Sequence, residues 1–183
     1  MNLCKDSVAQ PSKLQAFEAV ETLRVYKCFK LNSLMMTSSM TFGNLKCLLV
    51  SECHSLTNTM ASSTAKSLKQ LRKMNISHCD GMTAIISQEK EFEDEDEDQN
   101  EVAFSKLYGI LLFQMHNLKS FCNGKNAISF PSLDILLANR CNRMKSFCGG
   151  DRGTVEYQLL KGDVNATFSK FYEDNPDHCR KSE

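Results

Sequence analysis

Two places in the chain set a cysteine beside a histidine: Cys53–His54 in VSECHSL (50–56) and His78–Cys79 in ISHCDGM (76–82). Thiolate and imidazole are zinc ligands and also the working pair of thiol hydrolases. Structural zinc needs spacings such as C-x₂₋₄-C or H-x₃₋₅-H so that four ligands converge, and these residues offer neither. A thiol nucleophile needs an accessible sulfur of low pKa, so the question passes to the elements that aim Cys53 and Cys79. No other chemistry-bearing motif competes, since no phosphate-cradling G-x-x-x-x-G-K-[ST], G-x-G-x-x-G, H-E-x-x-H or G-x-S-x-G occurs. The expectation is a non-enzyme with no cofactor and no metal.

The 183 residues, 42% apolar, suffice for one globular unit. The first residues lack an apolar signal core, and no run approaches a membrane span, which predicts a cytoplasmic protein. Nine cysteines, an odd number without close pairs, read as mostly free thiols of a reducing compartment. A formal net charge of zero hides an asymmetry. Residues 89–101, EKEFEDEDEDQNE, carry nine acidic side chains and one basic, a local −8 that leaves +8 to the rest. Such a block cannot bury enough apolar surface to order itself, so a mobile loop is expected.

A repeat organises everything else. From Phe42, steps of +3, +6, +8, +11 and +14 reach Leu45, Leu48, Val50, Cys53 and Leu56. The same steps from Leu68 reach Leu71, Met74, Ile76, Cys79 and Met82, and origins at Phe17, Phe104 and Phe130 repeat the pattern. Successive origins lie 25, 26, 36 and 26 residues apart, so the long unit carries a ten-residue insert, the acidic block. Period 2 across +6 and +8 predicts a short strand, and the flanking steps of 3 predict turns and short helical pieces. No unit buries its apolar side alone; stacking places the strands in one parallel sheet over a continuous core.

In this register Cys28, Cys53, Cys79 and Cys141 all fall at +11, with Met115 in the fourth unit, and Cys122 and Cys148 fall at +18. A small, mostly apolar side chain fits beneath a bend, so the expectation is buried, inert cysteine with the histidines pointing away.

VETLRVYKCFKL, NLKCLLVSECHSL, QLRKMNISHCDGM and SLDILLANRCNRM resemble the leucine-rich repeat L-x-x-L-x-L-x-x-N/C-x-L. With SSTAKSLKQLRKMNISHCDGM, the acidic insert, the openings VAFSKL and FPSL, and the closing GDVNATFSKFYED, residues 14–172 resemble the C-terminal repeats of plant intracellular coiled-coil nucleotide-binding disease-resistance proteins. The resemblance implies an α/β solenoid, a horseshoe with short parallel strands on its concave face and irregular or short helical segments on its convex face. It also implies a sensing and autoinhibitory role in defence. The implied partners are a pathogen effector or host protein, and the nucleotide-binding domain if this chain is part of a longer one; neither nucleic acid nor a membrane span is implied. The alternative is the substrate-recognition arm of an F-box ubiquitin ligase, whose repeats have a similar period.

The expected organisation is an irregular segment 1–16, a solenoid of five to six units over 17–160, and a cap helix with a disordered tail over 161–183. Residues flanking the buried strand positions should face the concave side. They include Arg24, Tyr26 and Lys27; Lys73, Asn75, Ser77 and His78; Leu111, Phe113 and Gln114; Leu137, Asn139 and Arg140. Leu111, Phe113 and Leu137 should meet on adjacent strands, either as an exposed apolar interface or as a covered cluster.

Overall fold

The computed structural model describes residues 2–3, 19–35, 42–87, 101–123 and 127–144. The acidic block over 89–100, the expected C-terminal cap and nearly all of segment 1–16 lie outside them. The elements are β1 (Asn2–Leu3), β2 (Thr22–Tyr26), β3 (Ser33–Met35), β4 (Cys47–Ser51), β5 (Asn58–Ala61), α1 (Ser62–Ser67) and β6 (Lys73–Ser77). They continue with β7 (Ala84–Ser87), β8 (Val102–Ala103), β9 (Gly109–Phe113), β10 (Ser120–Cys122), β11 (Ile128–Ser129) and β12 (Ile135–Asn139).

One six-stranded sheet, ordered β1-β2-β4-β6-β9-β12, is parallel throughout and paired in the register of the repeat. Leu48 sits opposite Leu23 and Met74, and Val50 opposite Val25 and Ile76. These +6 and +8 side chains point inward and form a single core with the turn residues Leu45, Leu56, Leu71, Met82, Leu107 and Leu118. The steps of 3 are turns: the +3 N–H donates to the carbonyl at the origin in Leu45→Phe42, Leu71→Leu68 and Leu107→Phe104, and the +14 N–H to the +11 carbonyl in Leu56→Cys53 and Met82→Cys79.

The return legs are strands rather than helical pieces. β10-β7-β5-β3 form a second parallel sheet, β8 and β11 a third, and α1 is the one helix among the described residues. A buried return path must satisfy its backbone groups, and the neighbouring turn of the solenoid offers matching partners at every level. Accordingly β7 is buried at all four positions. The lateral ladder extends beyond the strands: each +4 carbonyl accepts two N–H groups from the next unit, as Lys46 O does from Arg72 and Lys73.

Each strand of the described units ends on a residue in the left-handed region: Lys27, Glu52, His78, Gln114 and Arg140, with φ of 50–55°. This residue turns the chain so that the following +11 side chain enters the core. Its own N–H still extends the ladder, His78 N–H donating to Phe113 O at 2.9 Å. A side chain costs energy in that conformation and glycine does not. His78→Gly is therefore expected to stabilise the fold by up to ~1 kcal/mol, whereas His78→Val should destabilise it by a similar amount. Urea denaturation checks both.

Candidate protein-interaction face

The outward side of the six-stranded sheet carries three rows of side chains, because alternate residues of aligned parallel strands share a side. The +5 row runs Thr22, Cys47, Lys73, Gly109, Ile135; the +7 row Arg24, Leu49, Asn75, Leu111, Leu137; and the +9 row Tyr26, Ser51, Ser77, Phe113, Asn139. The left-handed column Lys27, Glu52, His78, Gln114, Arg140 rims them. All thirteen sequence-derived candidates lie on this side or its rim.

Their exposure differs sharply. Tyr26, His78 and Arg140 are exposed, and Arg24, Lys27, Asn75, Ser77, Gln114, Phe113 and Asn139 are half-buried. Lys73 and Leu111 are 2% and 0% exposed, and Leu137 only 5%. Leu111, Leu137 and Ile135 form a second, smaller core on the outward side, with Tyr108 and Phe113 packed against it. The two possibilities for this apolar cluster thus resolve to the covered one. Lys73 stacks its ammonium 5.3 Å from the centre of the Tyr108 ring, a cation–π contact that helps offset its burial. At the other end of the sheet Lys27 lies 4.8 Å over the Tyr26 ring and 3.7 Å from Glu52. Tyr26 first and Glu52 next hold its ammonium above its ordinary pKa. The most accessible side chains of the face therefore lie in its +9 row and rim.

One lateral edge, at +12, was not legible as a site. His54 stacks on Phe29 with ring centres 6.2 Å apart, and Asp80 sits between two histidines, 2.8 Å from His116 Nδ1 and 3.5 Å from His54 Nδ1. His54 and His116 lie in different units, so only stacking reveals that they share one carboxylate. Among the described residues no group of three or more His, Cys, Asp or Glu is placed to hold a metal.

The cysteines face as the repeat predicts. Cys53 and Cys79 are fully buried, and the half-buried Cys28 and Cys141 occupy the first and last described units. Their thiols lean on backbone carbonyls: Cys53 Sγ reaches Ser51 O at 3.4 Å and Val25 O at 3.9 Å, and Cys79 Sγ reaches Ser77 O at 3.2 Å. The neighbouring Cys79 thiol, followed by burial, pushes the Cys53 thiol far up, and burial raises Cys141. Cys79 is shifted the other way, below its ordinary value, by its hydrogen bond with Cys53, and both sulfurs are enclosed at 0% exposure, which disfavours attack on an outside group. Native-state alkylation at pH 8 is expected to modify Cys28 well before Cys53; mass spectrometry of timed samples showing Cys53 first would contradict the burial.

One cysteine departs from the free-thiol expectation. Cys28, Cys53, Cys79, Cys122 and Cys141 are free, but Cys47 is disulfide-bonded. Its position at +5, on the outward side of the sheet, was the available signal.

A family model for leucine-rich repeats of plant disease resistance proteins of the RPS2-like type matches residues 35–148, well over half of the chain. The chain belongs to this family. No curated protein and no solved structure matches it. The matched residues span described units two to five. An RPS2-like repeat of this kind is a protein-interaction domain. Among the described residues no helix is long and apolar enough to cross a membrane.

Proposed function

We propose that this domain is the sensing and autoinhibitory part of a cytoplasmic disease-resistance receptor, and that it binds a protein partner across the outward face of its six-stranded sheet. The partner is a pathogen effector or the host protein it modifies, with a nucleotide-binding domain as the second ligand where the chain is part of a complete receptor. The observation that supports this reading is the row of polar and aromatic groups, Tyr26, Lys27, Ser77, His78, Gln114 and Arg140, presented on the side of the sheet opposite the buried apolar core. Rigid parallel strands fix these groups at a spacing of ~5 Å, so a partner can read a line of side chains with little ordering cost. Membership in the RPS2-like family supports the defence context.

The test is affinity capture from plant tissue with the wild-type chain and with a variant carrying Tyr26→Ala, Lys27→Ala, His78→Ala and Arg140→Ala. All four side chains project from the fold, so the variant retains its core. Partners held by the wild type and lost by the variant are expected. An identical partner set for both would remove the face as the binding surface.

A further inference from the structure

Three of the +11 cysteines stand in adjacent units and form a column. Tyr26, Ser51 and Ser77 are paired in register, and beyond them Lys27 N–H donates to Ser51 O and Glu52 N–H to Ser77 O, both at 3.1 Å. The next residue in each unit is a cysteine, and the same turn follows it. Leu31, Leu56 and Met82 N–H donate to the carbonyls of Cys28, Cys53 and Cys79 at 3.3, 3.1 and 3.0 Å. Equivalent backbone on both sides of the cysteines carries the strand spacing of ~5 Å through them, within the ~4.4–6.8 Å that the Cα atoms of a disulfide span.

The sulfurs follow the backbone, each on the carbonyl two residues before it: Cys28 on Tyr26 O at 3.7 Å, Cys53 on Ser51 O at 3.4 Å and Cys79 on Ser77 O at 3.2 Å. Cys53 also leans across to Val25 O of unit one at 3.9 Å, and its thiol has both Cys28 and Cys79 in hydrogen-bonding reach. The column is accessible at one end, since Cys28 is half-buried whereas Cys53 and Cys79 are enclosed. At its other end Met115 takes the +11 place, so Cys141 lies two spacings, ~10 Å, beyond Cys79 and out of disulfide reach.

We propose that Cys28, Cys53 and Cys79 form a thiol relay, which takes an oxidising equivalent from a peroxide at Cys28 and passes it inward as a disulfide. The Cys28 thiolate attacks a peroxide oxygen; the O–O bond breaks, leaving a sulfenic acid on Cys28 and hydroxide, which is protonated to water. Cys53 then attacks the Cys28 sulfur. The S–S bond forms as the S–O bond breaks, and the departing hydroxide leaves with the Cys53 proton as a second water. Two thiols have lost two electrons, and one hydrogen peroxide has become two waters. Burial keeps Cys53 protonated until then, so its attack relies on its place beside the Cys28 sulfur. In the last step Cys79 attacks the Cys53 sulfur along the S–S bond, as the stacking of the three sulfurs allows, and Cys28 leaves with the Cys79 proton as a thiol. The hydrogen bond from Cys53 holds the Cys79 thiol below its ordinary pKa, as an attacking sulfur requires. Parallel side chains keep their Cβ atoms ~5 Å apart against the usual ~3.8 Å, so the bond closed between them is readily reduced. This chemistry is independent of the proposed protein-binding role.

The full chain is treated with hydrogen peroxide at pH 8, quenched with catalase, alkylated and digested without reduction. Trypsin and a glutamate-specific protease are used together, which separates Cys47 from Cys53 at Glu52. Mass spectrometry of timed samples is expected to show a Cys28–Cys53 peptide pair first and a Cys53–Cys79 pair after it, with Cys141 linked to none of the three and all three thiols restored by dithiothreitol. In Cys28→Ser and in Cys28→Ala, checked for native circular dichroism, the rate of Cys53–Cys79 formation is expected to fall at least ~tenfold, because peroxide has lost its point of entry. Cys79→Ser should retain the Cys28–Cys53 pair. Accumulation of Cys28 sulfinic acid in the wild-type chain without either pair overturns the proposal. So does a Cys53–Cys79 pair that forms equally fast without Cys28.

Discussion

Phe104→Ala is expected to lower the stability of the domain by about 3–5 kcal/mol and to divide its unfolding into two steps. Phe104 opens the fourth unit and is fully buried. Its ring lies parallel to that of Phe130 at 5.5 Å, and Phe130 in turn meets Phe121 edge-on at 5.5 Å. Removing the ring deletes apolar contact and leaves a cavity between units that cannot close, because the lateral hydrogen-bond ladder fixes their spacing. In a solenoid each unit is held by its neighbours, so weakening one junction uncouples the turns on either side. Urea denaturation followed by far-UV circular dichroism tests this. A single transition with a loss below ~1 kcal/mol would show that the fourth and fifth units are not held through this aromatic stack.

Gly81→Ala should cost about 2–3 kcal/mol although it adds one methyl group at a site that is not fully buried. A Cβ at Gly81 would lie 2.3 Å from His54 O and 3.1 Å from Leu56 O. Both atoms are backbone of the preceding unit's turn, which is closed by the Leu56 N–H to Cys53 O bond of 3.1 Å, so no side-chain rotation relieves the clash. Since Gly81 does not have positive φ, the requirement is for space and not for a left-handed conformation. Gly43 is the control, because a Cβ there meets nothing within 4 Å. Gly43→Ala is expected to be neutral or to stabilise by up to ~1 kcal/mol through the unfolded chain. Comparable effects of the two substitutions would refute the close approach of units two and three.

The inward positions are legible in the sequence because they obey a rule that runs along the chain. Val50, Cys53 and Leu56 recur as Ile76, Cys79 and Met82 one interval of 26 later, and all six are buried to 1% or less. A residue's side of the sheet follows from strand alternation alone, so all thirteen candidate positions fall on the outward side or its rim. Whether an outward residue is exposed does not follow. Leu111 and Arg24 share the +7 row, yet Leu111 lies under Tyr108 and Phe113 while Arg24 is half-exposed. The return legs were harder to read than the sheet. Asn58–Ala61 and Ala84–Ser87 carry no two-residue alternation, and their strand character comes from pairing with the turn beside them.

The sequence by itself determined the period, the register, the inward core and the inward facing of the +11 cysteines, because those properties depend on residues a few steps apart in one strand and its turns. Tertiary structure alone decided what depends on residues a whole unit or more away. It made Leu111, Ile135 and Leu137 a second core, shared Asp80 between His54 and His116, denied Gly81 a side chain, and placed Cys47 in a disulfide. The physical reason is lateral stacking: periodicity states which way a side chain points, and only the neighbouring turn determines what it meets.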